Sequence, residues 1–139
     1  MSDYAATQTP MRPTLVELTF EWFQRIVAAY CLLFGVFYWM LLIGYYQDSP
    51  WRFDLMPVHW QIASATLAVL FPFAAIGLWT LASWGPVIWF ICAAAETVMY
   101  AGLPDLFGQR LPVVLCHLGV ALLYVTFRLV LWLRNPRAD

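Results

Sequence analysis

Four long apolar runs occupy residues 25–46, 58–82, 87–103 and 112–133 of a 139-residue chain. A helix needs ~20 predominantly apolar residues to cross the ~30 Å hydrocarbon layer, and each run is near or above that length. Lipid suits such runs, because a helix satisfies its backbone within the segment and needs no polar coat. The expected class is an all-α membrane protein, a four-helix transmembrane bundle with almost nothing outside the bilayer. Residues 1–13 would form a flexible tail, 14–134 a single transmembrane domain, and 135–139 a second tail.

Composition supports lipid as the solvent. Apolar residues make up 63% and charged residues 11%, against about 45–50% and 25% in soluble domains. The net charge of −1 provides no basic stripe for phosphates, so no nucleic-acid partner is expected. All seven basic residues are arginines. Arg12, Arg25, Arg128, Arg134 and Arg137 lie towards the two ends, whereas Arg52 and Arg110 lie in the long connections. Four spans put both ends on one side, and the positive-inside rule makes that side cytoplasmic. The expected location is the bacterial inner membrane, with both termini in the cytoplasm. No cleavable leader is expected, since the segment before the first run is acidic and aromatic and no small-residue cleavage site follows. Cys31, Cys92 and Cys116 all fall inside apolar runs without Cys-x-x-Cys spacing, which supports neither a disulfide framework nor a zinc site.

Local signals divide the chain. Thr14 followed by Glu17 has the form of a capping box, and no breaker separates this entry from the first run. The connection at 47–57 carries Trp51, Phe53 and Met56 and should fold onto the interface. Ser83, Trp84, Gly85 and Pro86 make a very short connection, which forces the second and third spans into an antiparallel hairpin. Pro72 lies in the middle of the second span; it denies the Ala68 carbonyl its amide donor and is expected to bend the helix. Trp22, Trp84, Trp89 and Trp132 fall near one membrane boundary, and Trp51 and Trp60 near the other, as interface anchors would.

Glu96 is the first residue to ask about chemistry. A carboxylate in the shortest run costs several kcal/mol facing lipid, so it must face other helices, be neutral, or be paired. His117 is its natural partner: Glu96 lies about 10 Å from one end of its run and His117 about 8 Å from the same end of the next. Tyr100 lies one turn beyond Glu96, and His59 begins the second span on the same side. These four are the candidate ligand-binding or proton-binding residues. His59 and His117 raise the question of a bis-His haem, but their depths differ by several Å, and Glu96, His117 and His59 lack an informative metal spacing. No cofactor or metal is expected. Arg128 would snorkel to the interface or pair with Glu17 or Glu21. No phosphate loop, nucleophile elbow or zinc-protease motif is present.

The stretches Tyr-Trp-Met-Leu-Leu-Ile-Gly-Tyr-Tyr (38–46), Trp-Arg-Phe-Asp-Leu-Met-Pro-Val-His-Trp-Gln (51–61) and Ser-Trp-Gly-Pro-Val-Ile-Trp-Phe (83–90) resemble a family of uncharacterised small bacterial inner-membrane proteins, as does the run from Glu96 through Tyr100 to Gly108. The resemblance covers nearly the whole chain. It implies a small multi-pass architecture and transfers no catalytic residue.

The function expected is therefore that of an accessory or interaction subunit without catalytic residues, surrounded by lipid and meeting a membrane-protein partner or a second copy of itself. The alternative is a binding or transport module for a lipid, quinone or other hydrophobic ligand, with Glu96 and His117 as its polar contacts.

Overall fold

The computed structural model describes residues 12–45 and 52–134. Trp51, Arg137 and most of both tails lie outside the described residues, and so does the first part of the 47–57 connection. Helix α1 runs unbroken from Leu15 to Leu42. Its start is a reciprocal capping box. The Thr14 amide donates to Glu17 Oε2 at 2.7 Å, and the Glu17 amide donates to Thr14 Oγ1 at 3.4 Å. The entry segment is thus part of the first long helix rather than a separate surface helix. Gly44, at φ +69°, closes its far end. The Tyr45 amide reaches the Met40 carbonyl at 3.1 Å and the Gly44 amide reaches Leu41 at 3.3 Å, the paired bonds of a Schellman cap.

Beyond it, Arg52 and Asp54 form a 2.7 Å ion pair that holds the Asp54 carboxyl below the usual carboxylate range. Gln61 Nε2 donates to the Phe53 carbonyl at 2.8 Å and to Met56 at 3.1 Å, tying this turn to the start of α2.

Helix α2, Val58–Trp79, continues through Pro72. The Ala68 carbonyl, which proline deprives of its donor, accepts the Trp39 indole N–H from α1 at 2.9 Å. Gly35 of α1 lies against the Pro72 ring, where a Cβ would come within 2.9 Å of Cδ. One proline therefore fixes how α1 and α2 meet, through a donated hydrogen bond and a contact that leaves no room for a side chain.

The turn after α2 is tight. The Ala82 amide bonds the Gly77 carbonyl at 2.9 Å, with Leu81 in the left-handed region at φ +57°. A Cβ at Gly77 would fall 2.6 Å from Gly85 Cα, so these glycines set the closest approach of α2 and α3. Helix α3, Gly85–Thr97, starts with Pro86 in its first turn, where no amide partner is needed. It continues as a π-helical turn, Val98–Gly102, and the two together form one 18-residue apolar helix. Helix α4, Pro104–Phe107, is a single turn ended by Gly108 at φ +79°. Helix α5 spans Leu111–Arg134.

Among the described residues the chain is all-helical, and four helices are long and apolar enough to cross a membrane: Leu15–Leu42, Val58–Trp79, Gly85–Gly102 and Leu111–Arg134. Contacts are richest between α1 and α2, next between α2 and α3, and lighter where α5 meets α3 and α1. The buried face of α1 repeats every three or four residues through Gln24, Ala28, Cys31, Gly35, Tyr38 and Leu41. Aromatic rings join α1 to α5 near the Arg134 end, where Phe20 and Phe23 meet Phe127 at 5.5 and 5.4 Å. Tyr124 of α5 meets Phe90 of α3 at 5.7 Å.

Packing corrects the reading of two tryptophans as interface anchors. Trp89 is 2% exposed and Trp60 is 7% exposed, both inside the core, whereas Trp22, Trp84 and Trp132 are exposed. Arg128 is exposed on α5 and forms no ion pair with Glu17 or Glu21.

Candidate functional site

Glu96 sits on the last turn of α3, just before the π turn, and is fully buried. Each of its oxygens is engaged by a different helix. Tyr38 Oη of α1 donates to Oε1 at 2.5 Å. His117 Nε2 of α5 meets Oε2 at 2.6 Å. One carboxyl thus joins three long helices. Its position follows from the sequence: at that depth the apolar side chains of α3 can face lipid, but Glu96 can do so only at a cost of several kcal/mol. The matched depths of Glu96 and His117 correspond to this contact.

The surroundings are largely aromatic. Tyr38 stacks on Phe71 of α2 at 5.8 Å with an interplanar angle of 11°. The His117 ring packs edge-on against Tyr30 at 6.5 Å and Trp89 at 6.1 Å. His117 is 3% exposed, and its Nδ1 has no protein partner. Trp89 Nε1 and Ser64 Oγ are likewise buried without one. A histidine whose second nitrogen is bonded to a carbonyl has one fixed tautomer; His117 has no such constraint.

Tyr100, on the π turn, does not bond Glu96 itself. It is the polar neighbour of Tyr38, and the Arg110 guanidinium lies over its ring at 5.6 Å. The sequence thus signalled Tyr100 by helical spacing but missed Tyr38, the direct partner. A tyrosine hydroxyl deep in an apolar run needs an acceptor, and that signal could have found Tyr38.

His59 stands apart from this cluster. Its Nε2 lies 3.0 Å from the Leu106 carbonyl, and its ring meets Phe107 edge-on at 5.1 Å. The two histidines are engaged at separate places and do not face a shared site. No group of three or more His, Cys, Asp or Glu side chains converges among the described residues.

Two lateral grooves open on the surface. One, of about 570 Å³, lies between α2 and the α3–π–α4 segment, with Ile62, Ala63, Thr66, Ala94, Met99 and Phe107 in its wall and His59 at its rim. The second, of about 270 Å³, lies between α1 and α2 around Ala28, Ala29 and Ala75. Glu96 and His117 line neither.

The model of a family of unknown function (DUF6163) matches residues 18–135, which takes in all four long helices except the first turn of α1. The chain belongs to that family. No curated protein and no solved structure matches it. The matched stretch contains Glu96, His117, Tyr38 and Tyr100.

Proposed function

We propose that this is a multi-pass protein of the bacterial inner membrane, a four-helix bundle with both termini cytoplasmic, acting as an accessory or interaction subunit. The five terminal arginines support the orientation. The observation that carries the functional reading is the uneven packing of α5. Only 11% of its most apolar stretch is buried, against 33–44% for the other three long helices. Val114 and His117 are its only buried residues. Leu115, Leu118, Leu122, Val125, Leu129 and Trp132 are all more than half exposed. Such a helix is held at a polar pair and an aromatic patch and leaves a long face for lipid or for another membrane helix. Glu96 supports the same reading, because its oxygens are already used between helices rather than offered to a substrate.

A photocrosslinking side chain at Leu122 of α5, compared with one at Val69 of α2, tests this reading. Both positions are exposed. The expected result is a stoichiometric protein adduct, a partner or a second copy, from Leu122 and not from Val69. Adducts with lipid alone at both positions would defeat it.

The larger groove favours a second reading, a module that holds a hydrophobic ligand. Its wall is almost wholly apolar, and Thr66 Oγ1 already donates to the Ile62 carbonyl at 2.8 Å. An alkyl or isoprenoid chain suits it better than a quinone head, which would need free donors. In this reading Glu96 and His117 are not the ligand's contacts.

A further inference from the structure

The geometry points to a proton-binding site at the Glu96–His117 pair, supplied through Tyr100 and Tyr38 from the membrane face that bears Leu103–Leu111. The proposal rests on the four-span reading and goes beyond the accessory role.

The pair has the features of a site that can take up a proton and keep it. Both Glu96 oxygens lie within 2.6 Å of a group that can carry a proton, Tyr38 Oη and His117 Nε2. His117 Nδ1 has no partner that fixes the tautomer. With Glu96 ionised and His117 neutral, His117 Nε2–H and Tyr38 O–H both donate to the carboxylate and the pair carries one negative charge. One added proton makes the pair neutral overall, either as imidazolium beside carboxylate or as imidazole beside carboxylic acid. In the first state Nδ1 carries a hydrogen for which the protein offers no acceptor; in the second the protonated Glu96 oxygen donates to His117 Nε2 or to Tyr38 Oη, so one of the two bonds reverses its direction. The proton comes from the aqueous phase.

The ionisable groups around the pair are tyrosines and cysteines. From α1 come Tyr30, Cys31 and Tyr38; from α3, Cys92; from the π turn, Tyr100; from α5, Cys116 beside Tyr30. The contacting face of α2 offers Phe71 and Ala68, neither ionisable. The cation at the edge of this set is Arg110, over the Tyr100 ring.

The hydrogen-bonded approach to the pair lies on one side. Towards the π turn, Tyr38 adjoins Tyr100, and Tyr100 lies under Arg110, which is exposed. Tyr100 is itself buried, so a proton enters from water when the Arg110 side chain moves off the ring, and passes from Tyr100 to Tyr38. Tyr38 then gives its own proton to Glu96 Oε1 as it receives one. Towards the Gly85 end Trp89 and Phe90 on α3, Phe20 and Phe23 on α1, and Phe127 on α5 fill the interior, with Tyr124 among them and Tyr30 against the His117 ring. Tyr38 is hydrogen-bonded to the pair, whereas Tyr30 meets it only by a ring contact, so loading is expected from the face that bears Arg110.

Infrared difference spectroscopy tests this on the full chain, reconstituted in vesicles with one orientation selected. The probe is a pH step applied to one face at a time. A carboxylic C=O band should titrate when the face bearing Arg110 is stepped and stay silent when the opposite face is stepped. The band should vanish in Glu96→Gln and shift in frequency in Tyr38→Phe, which keeps the ring and removes the donor. Should Glu96→Gln fail to fold, the Tyr38→Phe shift alone assigns the band. A merely structural carboxyl would give no titrating band. Absence of such a band, equal response from both faces, persistence in Glu96→Gln, or no shift in Tyr38→Phe would each overturn the proposal.

Discussion

Replacing Trp39 with Phe should destabilise the protein only while Pro72 is present. Proline has no N–H, so the Ala68 carbonyl lacks its normal helical donor. Trp39 Nε1 supplies one from α1 at 2.9 Å. Ala68 is 0% exposed, so no water replaces a lost donor at that depth. Trp39→Phe keeps an aromatic ring in place and removes the N–H. Interhelical hydrogen bonds in membrane proteins average ~0.6 kcal/mol and reach ~1.7; a buried carbonyl whose helical donor is already missing belongs in the upper half, about 1 kcal/mol. Pro72→Ala restores the N–H to the ladder and makes the indole redundant. That substitution also removes the ring that fills the space beside Gly35, but this effect is common to both Pro72→Ala proteins and cancels in the cycle. The assay is reversible unfolding in mixed micelles, followed by far-ultraviolet circular dichroism in the four proteins of the cycle. The coupling should be about 1 kcal/mol, with Trp39→Phe nearly neutral in the Pro72→Ala background. An equal cost of Trp39→Phe in both backgrounds would refute the reasoning.

Three further outcomes follow from the same contacts. Glu96→Gln should fold almost normally, because the amide offers an oxygen to Tyr38 and an N–H to His117; Glu96→Leu strands both partners and should cost about 1–3 kcal/mol in the same unfolding assay. Gly85→Ala should loosen the α2–α3 turn despite alanine's better helix propensity (~1 kcal/mol), since its Cβ would fall 2.6 Å from the Leu78 amide nitrogen, a backbone atom that cannot rotate away; the overpacking cost of about 1–3 kcal/mol should lower the unfolding midpoint. Single cysteines at the exposed Ser83 and Gln109, in a background lacking the native three, should react oppositely with an impermeant reagent. Labelling of Gln109→Cys and not Ser83→Cys from outside is expected, and the reverse pattern would invert the orientation.

The sequence by itself determined the membrane-type helices, because 20-residue apolar runs have few other stable solutions. It determined the start of α1 through the local exchange of bonds between Thr14 and Glu17. It also determined that Glu96 would turn inward and that His117 stood at a matching depth, since burying a carboxyl in lipid is costly and a helix rises a fixed distance per residue. Tertiary structure alone decided which face of each helix is inside. A helix apolar all round carries no stripe to mark its buried side. Trp60 and Trp89 therefore read as interface anchors yet pack in the core, and Tyr38 could be chosen as Glu96's partner only once α1 had rotated. Rotation is set by close approach at Gly35 against Pro72 and at Gly77 against Gly85. Those contacts join residues far apart in the chain or across a turn, and their fit depends on shapes that no single segment specifies.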